Sequence, residues 1–179
     1  MSSIRYLAGA ALVFVPVIAL AQSPFEISGL HMELDFTEAV AKAEKLGGTC
    51  QITTSRTQDG GKIAQCGYLP CIEHNLAGEC EKWDLDAPKL TIAAQPIMQI
   101  GLEAPGDISR LTRILILFEG STVAVAESLE REFGPPKIHG NSQGKSWTHS
   151  RRISWTQGNY HMGLMNSPKL ISLTVDRAQ

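Results

Sequence analysis

The sequence lacks any excess of positive charge and any motif that commits the chain to one reaction. Its 16 Lys and Arg residues are balanced by 18 Asp and Glu residues, and the net charge is −2. We therefore expect no binding to nucleic acid or to an anionic membrane, because both depend on clustered basic side chains. None of the five histidines belongs to a His-Glu-x-x-His zinc motif. These absences argue against nucleic-acid binding, membrane-surface binding and zinc-dependent proteolysis.

Long apolar runs are absent except at the start of the chain. Arg5, an apolar stretch over 7–20 and the small residues Ala19 and Ala21 predict a secretory signal peptide at 1–21. The stretch is short for a membrane span, although an uncleaved anchor is the alternative. No cysteine follows the predicted cleavage site to carry a lipid. We expect an exported chain that starts at Gln22 and does not insert into the membrane.

The sequence also has no Asn-x-Ser/Thr glycosylation site, which favours a bacterial exported protein. We therefore predict that the chain is periplasmic or secreted. Without Arg5 it carries fifteen basic and eighteen acidic side chains, so it stays mildly acidic after processing.

The cysteines are few and clustered: Cys50, Cys66, Cys71 and Cys80. In an oxidising compartment an even, clustered set predicts two disulfides. Three pairings are possible, and we favour Cys50 with Cys66 and Cys71 with Cys80. The turn-forming stretch 58–61 would place the first two as hairpin neighbours. The alternative is a structural zinc ion held by Cys66, Cys71, His74 and Cys80.

Two segments have the spacing of short amphipathic helices. Asp35 and Glu38 form a capping box before an apolar stripe that ends at Gly47. A second stripe follows Ser121 and ends at Gly134. Strand-like segments fill most of the remainder. The sequence predicts a single α+β domain over 22–179, in which an antiparallel sheet carries both helices on one face.

Among the predicted strands, the dense apolar run 114–117 indicates a central strand, and 97–102 an edge strand because Pro96 interrupts it. A short edge strand is expected at 25–30, and a solvated connector at 81–88. The chain also suggests two tandem modules, each a helix followed by β-structure, with halves at 22–88 and 89–179. The alternative is a chance similarity that any α+β chain can show.

Two segments carry a resemblance to a known class. Met32-Glu33-Leu34-Asp35-Phe36-Thr37-Glu38-Ala39-Val40 and the helix stop Phe133-Gly134-Pro135-Pro136 resemble small exported bacterial α+β modules. This class groups outer-membrane-assembly lipoproteins with β-lactamase-inhibitory proteins. The resemblance implies helices packed on an antiparallel sheet and protein binding without catalysis. The chain departs from the pattern at Glu33 and Leu34, where glycine and methionine are usual, and it has no lipid-bearing cysteine.

Two other motifs suggest chemistry that their context does not support. Residues 140–144 have the Gly-x-Ser-x-Gly spelling of a hydrolase nucleophile. However, no strong strand precedes them, no helix follows, and no histidine follows Asp176 to complete a triad. Asp84 and Asp86 are too few for a calcium site. We therefore expect no catalytic residue, no metal and no cofactor.

The segment between the middle cysteines is the strongest candidate binding site. Tyr68, Leu69 and Ile72 are predicted to contact a partner from a loop made rigid by two disulfides. The alternative is that they cover the edge of the sheet. The expected function is a non-enzymatic binding or accessory protein for another envelope or exported protein. The alternatives are an inhibitor or immunity protein that blocks an exported enzyme, and a small metal-dependent hydrolase.

Overall fold

The computed structural model describes residues 25–54, 60–77, 80–84, 88–106, 109–139, 152–166 and 171–177. In this part of the chain, helices α1 (Phe36–Lys45) and α2 (Thr122–Phe133) combine with eleven strands. The strands are β1 (Thr49–Thr54), β2 (Lys62–Gly67), β3 (Cys71–His74), β4 (Cys80–Trp83), β5 (Thr91–Ile92), β6 (Gln95–Ala104), β7 (Arg113–Phe118), β8 (Lys137–His139), β9 (Arg152–Gln157), β10 (Tyr160–Asn166) and β11 (Ile171–Arg177). The predicted α+β class is confirmed.

Eight strands form one antiparallel sheet in the order β1-β2-β6-β7-β11-β10-β9-β8, and β5 pairs with the start of β6. The sheet consists of two units with the same topology. The first unit is α1 followed by β1, β2, β6 and β7, and the second is α2 followed by β8 to β11. In each unit every strand pairs with the next, and the two fourth strands, β7 and β11, pair at the centre.

These units divide the chain between β7 and α2. The predicted halves, 22–88 and 89–179, differ from these units. They group β6 and β7 with α2, whereas in the sheet these two strands belong to the unit that begins with α1. A common ancestry of the two units stays a prediction.

Both helices form where the sequence provides a cap and an apolar stripe. Asp35 caps α1 by accepting the Thr37 N–H at 2.8 Å, and Glu38 completes the capping box. Ser121 caps α2 by accepting the Ala124 N–H at 3.2 Å. Each helix is followed by a glycine with positive φ, Gly47 (96°) and Gly134 (81°), a conformation that costs glycine little. Both predicted helices are thus confirmed.

The sheet has a buried face and an open face. Because successive strand side chains point to opposite faces, every second residue of the central strands lies in the core. The buried face includes Ala64, Cys66, Ile100, Leu102, Ile114, Ile116, Leu173, Val175, Met162, Leu164, Ile153 and Trp155. These side chains form one cluster with the buried residues of α1 and α2. The helices therefore cover one face of the sheet, and they leave the opposite face uncovered.

Three local strand predictions are corrected by the structure. β6 is a central strand, paired with β2 on one side and β7 on the other. Pro96 is compatible with it because it precedes Gln99, where the pairing with β2 begins. Residues 25–30 form a turn with one bridge instead of a strand, since Phe25 and Ser28 have φ values of 62° and 53°. Part of the predicted connector at 81–88 belongs to β4.

The predicted disulfide between Cys50 and Cys66 is confirmed, and it joins residues directly opposite each other on β1 and β2. Cys71 is also disulfide-bonded. The side chain of its predicted partner, Cys80, lies outside the described part of the structure. The alternative zinc site is wrong because the Cys66 sulfur is bonded to Cys50.

Candidate functional site

Two of the three residues predicted to contact a partner lie in the core. Tyr68 is 0% exposed and Leu69 is 6% exposed, whereas Ile72 is 58% exposed. A partner cannot reach the first two side chains while the chain is folded. The structure therefore corrects the prediction for Tyr68 and Leu69 in favour of the alternative that they cover the sheet. Ile72 remains available for contact.

Tyr68 has a structural task at the end of α1. Its hydroxyl donates a hydrogen bond of 2.9 Å to the Ala43 carbonyl in the last turns of the helix, which also accepts the Gly48 N–H at 3.1 Å. A side chain at Gly48 would approach the Tyr68 ring to 2.9 Å, so glycine makes this close packing possible. Burial raises the pKa of Tyr68 to about 12, which keeps the hydroxyl protonated as a donor.

The candidate protein-binding element is the hairpin formed by β3 and β4, residues 71–83, here called the arm. Its strands pair with each other and form a sheet separate from the main one in the described residues. The Asp84 N–H donates to the Pro70 carbonyl at 2.9 Å and closes the base of the arm. The disulfide at Cys71 adds a covalent constraint. The arm is therefore a small rigid projection of the first unit.

Apolar side chains of the arm face solvent. Ile72 is 58% exposed and Leu76 is 111% exposed. Leu76 lies at the tip, where the Ala77 N–H donates to Asn75 Oδ1 at 2.9 Å in a side-chain-mediated turn. Leu76 is not among the residues predicted from the sequence to contact a partner, although a single leucine after Asn75 and before Gly78 was the available signal.

The arm and the residues that follow it are acidic. From residue 71 to residue 86 the chain carries one basic side chain, Lys82, and five acidic ones: Glu73, Glu79, Glu81, Asp84 and Asp86. Of these, Glu73, Glu81 and Lys82 are exposed in the described residues. An apolar tip is thus presented on an acidic stem.

A second candidate site lies on the open face, where a cleft of about 300 Å³ crosses the central strands. One side of the cleft is a row of residues from four neighbouring strands: Glu103, Arg113, Asp176 and His161. The floor is formed by Leu115, Thr174 and Gly163, and the other side by Met165 and Arg152. The sequence alone could not find this site, because it exists only once the strand register is known.

Some charged side chains in the cleft form ion pairs with each other and others do not. Arg113 Nε is 2.7 Å from Asp176 Oδ1, and Arg113 Nη1 is 3.2 Å from Glu103 Oε2. The hydrogen bond to Asp176 raises the pKa of Arg113 above its ordinary value. Within the described residues, the side chains of Arg152 and His161 form no hydrogen bond or ion pair. These two groups are available to a ligand.

The remaining sequence motifs contribute no site. Residues 140–144 and Asp86 lie outside the described part of the chain. Where the structure is described, no group of three or more His, Cys, Asp or Glu side chains is placed to hold a metal ion. Trp155 is a buried residue of the sheet, and Trp147 lies outside the described residues.

Comparison with protein-family models, curated proteins and solved structures finds no match to this chain. Neither α1 nor α2, the helices of the described residues, has the length or the apolar character that a membrane span needs.

Proposed function

We propose that the chain is an exported, non-enzymatic accessory protein that binds another envelope or exported protein through the arm. The observation that carries this proposal is the exposure of Ile72 and Leu76 on a hairpin with a disulfide at its base. Burying a large aliphatic side chain contributes about 1.5–3 kcal/mol. A projection that is already rigid loses little entropy when it binds.

The position of the arm within the first unit supports a functional role. The connection between β2 and β6 runs from residue 68 to residue 94, whereas β9 and β10 are joined by Gly158 and Asn159. The longer connection carries β3, β4 and β5, and binding residues are found disproportionately on the segments that connect the elements of a rigid scaffold. The arm is therefore additional to what the sheet requires.

Export is supported by the signal-peptide pattern at 1–21 and by the disulfides. Disulfides persist in oxidising compartments and are rare in the cytosol. We assign the chain to the bacterial periplasm or to secretion on this basis.

The chemistry of the arm defines the partner. A projecting leucine fits an apolar pocket, and the acidic stem favours basic residues around that pocket. The second candidate function, inhibition of an exported enzyme, is favoured by the full exposure of Leu76. An exposed leucine on a hairpin suits a concave surface such as a substrate cleft, and an inhibitor would reduce the activity of the partner it binds.

The proposal is tested by crosslinking in cells. A photoreactive amino acid replaces Leu76, or Ile52 as the control, in a chain that carries its own first 21 residues. We expect one predominant adduct from position 76 and none of the same mass from position 52. Ile52 is the control because it is an exposed aliphatic residue on β1, outside the arm, and its 59% exposure also matches the 58% of Ile72 for the substitutions below.

Substitutions then establish whether the arm supplies binding energy. Ile72→Ser should reduce recovery of the crosslinked partner by about tenfold or more, since burial of this side chain would be lost. Ile52→Ser should not change it. Equal loss in both variants, or no adduct from position 76, would show that the arm is not the binding surface.

A further inference from the structure

The cleft on the open face has a physical origin in Gly163. This residue lies on β10 between Ser154 of β9 and Thr174 of β11. A Cβ atom built there would approach nothing closer than Arg152 Nε, at 4.0 Å. The floor is therefore bare because a side chain is missing, and the space above it is open to a ligand.

One side of the cleft has spare capacity to accept hydrogen bonds. Glu103 and Asp176 share a single cation, Arg113, and their side chains are 36% and 34% exposed. An ionised carboxylate offers about four lone-pair sites. One guanidinium group cannot occupy all the sites of two carboxylates. A ligand cation can therefore be held here.

The other side of the cleft offers unused donors. Arg152 pairs in the sheet with Met165, and its Nε is 4.0 Å from the point where a Cβ of Gly163 would lie, at the side of the floor. Its guanidinium has five N–H donors in a planar fork that matches a carboxylate. No acidic side chain of the described residues forms an ion pair with Arg152. A ligand carboxylate can thus be held at this end, close to the floor.

The balance of charge selects between ligand classes. Two carboxylates, Glu103 and Asp176, and two guanidinium groups, Arg113 and Arg152, make the cleft formally neutral with His161 uncharged. A phosphate or other inorganic anion would be repelled by the two carboxylates. A ligand with one positive and one negative end avoids this repulsion and leaves the site neutral.

We infer that the cleft binds a small zwitterion of the amino-acid or dipeptide type. Arg152 holds the ligand carboxylate, and Glu103 and Asp176 hold its ammonium group. The ligand side chain rests on Leu115 and Met165. A volume of about 300 Å³ is at the lower end of ligand pockets, which suits a molecule of this size. This site shares no residue with the arm, so the two proposals fail independently.

The test is a titration of the disulfide-bonded chain with the dipeptide alanyl-leucine, followed by backbone amide resonances. The N-acetylated dipeptide lacks the ammonium group, and the dipeptide amide lacks the carboxylate. We expect saturable shifts at β10 and β11 with alanyl-leucine and at least tenfold weaker binding of both capped forms. Inorganic phosphate should produce no saturable shift at these strands.

Two variants locate the binding. Arg152→Gln should weaken binding of alanyl-leucine about tenfold, and Gly163→Val should abolish it by filling the floor. The control is Gly67→Val, which adds a side chain on the same face, where nothing lies within 4 Å, away from the cleft. Thermal unfolding confirms that each variant is folded.

The inference is overturned if 10 mM alanyl-leucine leaves the amides of β10 and β11 unshifted, or if both capped forms bind as tightly as the dipeptide. It is also overturned if folded Gly163→Val binds like the original chain. Binding of phosphate in place of the dipeptide would overturn the zwitterion class.

Discussion

The two units share a topology and differ in what has been added to it. In each, an aromatic side chain donates a hydrogen bond to a carbonyl at the end of the unit's helix. Tyr68 Oη donates to Ala43 at 2.9 Å in the first unit, and Trp155 Nε1 donates to Gly134 at 2.8 Å in the second. Different aromatic residues thus make the same kind of helix-end contact in the two units. Only the first unit, within the described residues, also carries a disulfide between strands and a projecting arm.

This difference separates what holds the fold together from what is available for binding. The second unit forms its four strands with a turn at Gly158 and Asn159 and without a disulfide in the described residues. The disulfide and the arm are therefore not needed to make a helix-and-sheet unit of this kind. The first unit has an exposed outer strand and a long connection, and it is there that the covalent bonds are found.

The largest expected effect comes from removing the two helix-end contacts. Tyr68→Ala and Trp155→Ala should each lower the free energy of unfolding by about 3–5 kcal/mol, because each deletes a buried ring together with its hydrogen bond to a carbonyl near the helix end. Tyr68→Phe should cost about 1 kcal/mol, since only the hydrogen bond is lost. Urea unfolding followed by circular dichroism measures these differences. A loss below about 1 kcal/mol for either alanine variant would contradict the equivalence of the two contacts.

The next effect comes from removing the disulfide that joins β1 and β2 in the first unit. The double variant Cys50→Ala, Cys66→Ala should lower the free energy of unfolding by about 3 kcal/mol, the chain-entropy value for a loop of this length. Amide exchange should accelerate most in β1 and β2. An equal acceleration in β9 and β10 would show that the disulfide stabilises the whole sheet instead of the first unit.

The smallest expected effect is a difference between the two helix caps in the pH dependence of stability. Hydrogen bonds from the Ser109 hydroxyl and the Thr37 N–H hold the pKa of Asp35 below its ordinary value of 3.8. The stability that this carboxylate contributes is present above about pH 4 and is lost as the pH falls through its lowered pKa. Asp35→Asn should reduce that pH dependence, while Ser121→Ala should cost about 1 kcal/mol with no change in pH dependence. Denaturant titrations between about pH 2 and pH 6 measure both, and an unchanged profile for Asp35→Asn would contradict the assignment.

The helices and the Cys50–Cys66 disulfide could be predicted because local signals determine them. Asp35, Glu38 and the glycines after each helix act on their sequence neighbours. The position of β6 could not be predicted, since Pro96 indicates an edge until the register shows that it lies before the residues paired with β2. The burial of Tyr68 and the order of the sheet depend on contacts between distant segments.

The candidate sites show the same difference between features set by local sequence and features set by contacts between distant segments. Ile72 was identified from its place between cysteines, while Tyr68 and Leu69 have the same local context but are buried by the end of α1 and the sheet. The cleft depends on Glu103, Arg113 and Asp176 meeting across three strands, which no local pattern encodes.

The outer strand of the first unit, β1, affects how copies of the chain can associate with each other. β1 contains no charged residue and no proline, and no strand of the described residues pairs with its outer edge, so its backbone groups there are open to another strand. Because the Cys50–Cys66 bond fastens β1 to β2, the strand cannot leave its own sheet and be exchanged with a second molecule. Oxidation of Cys50 and Cys66 therefore opposes exchange of β1 between copies of the chain, and reduction removes this constraint.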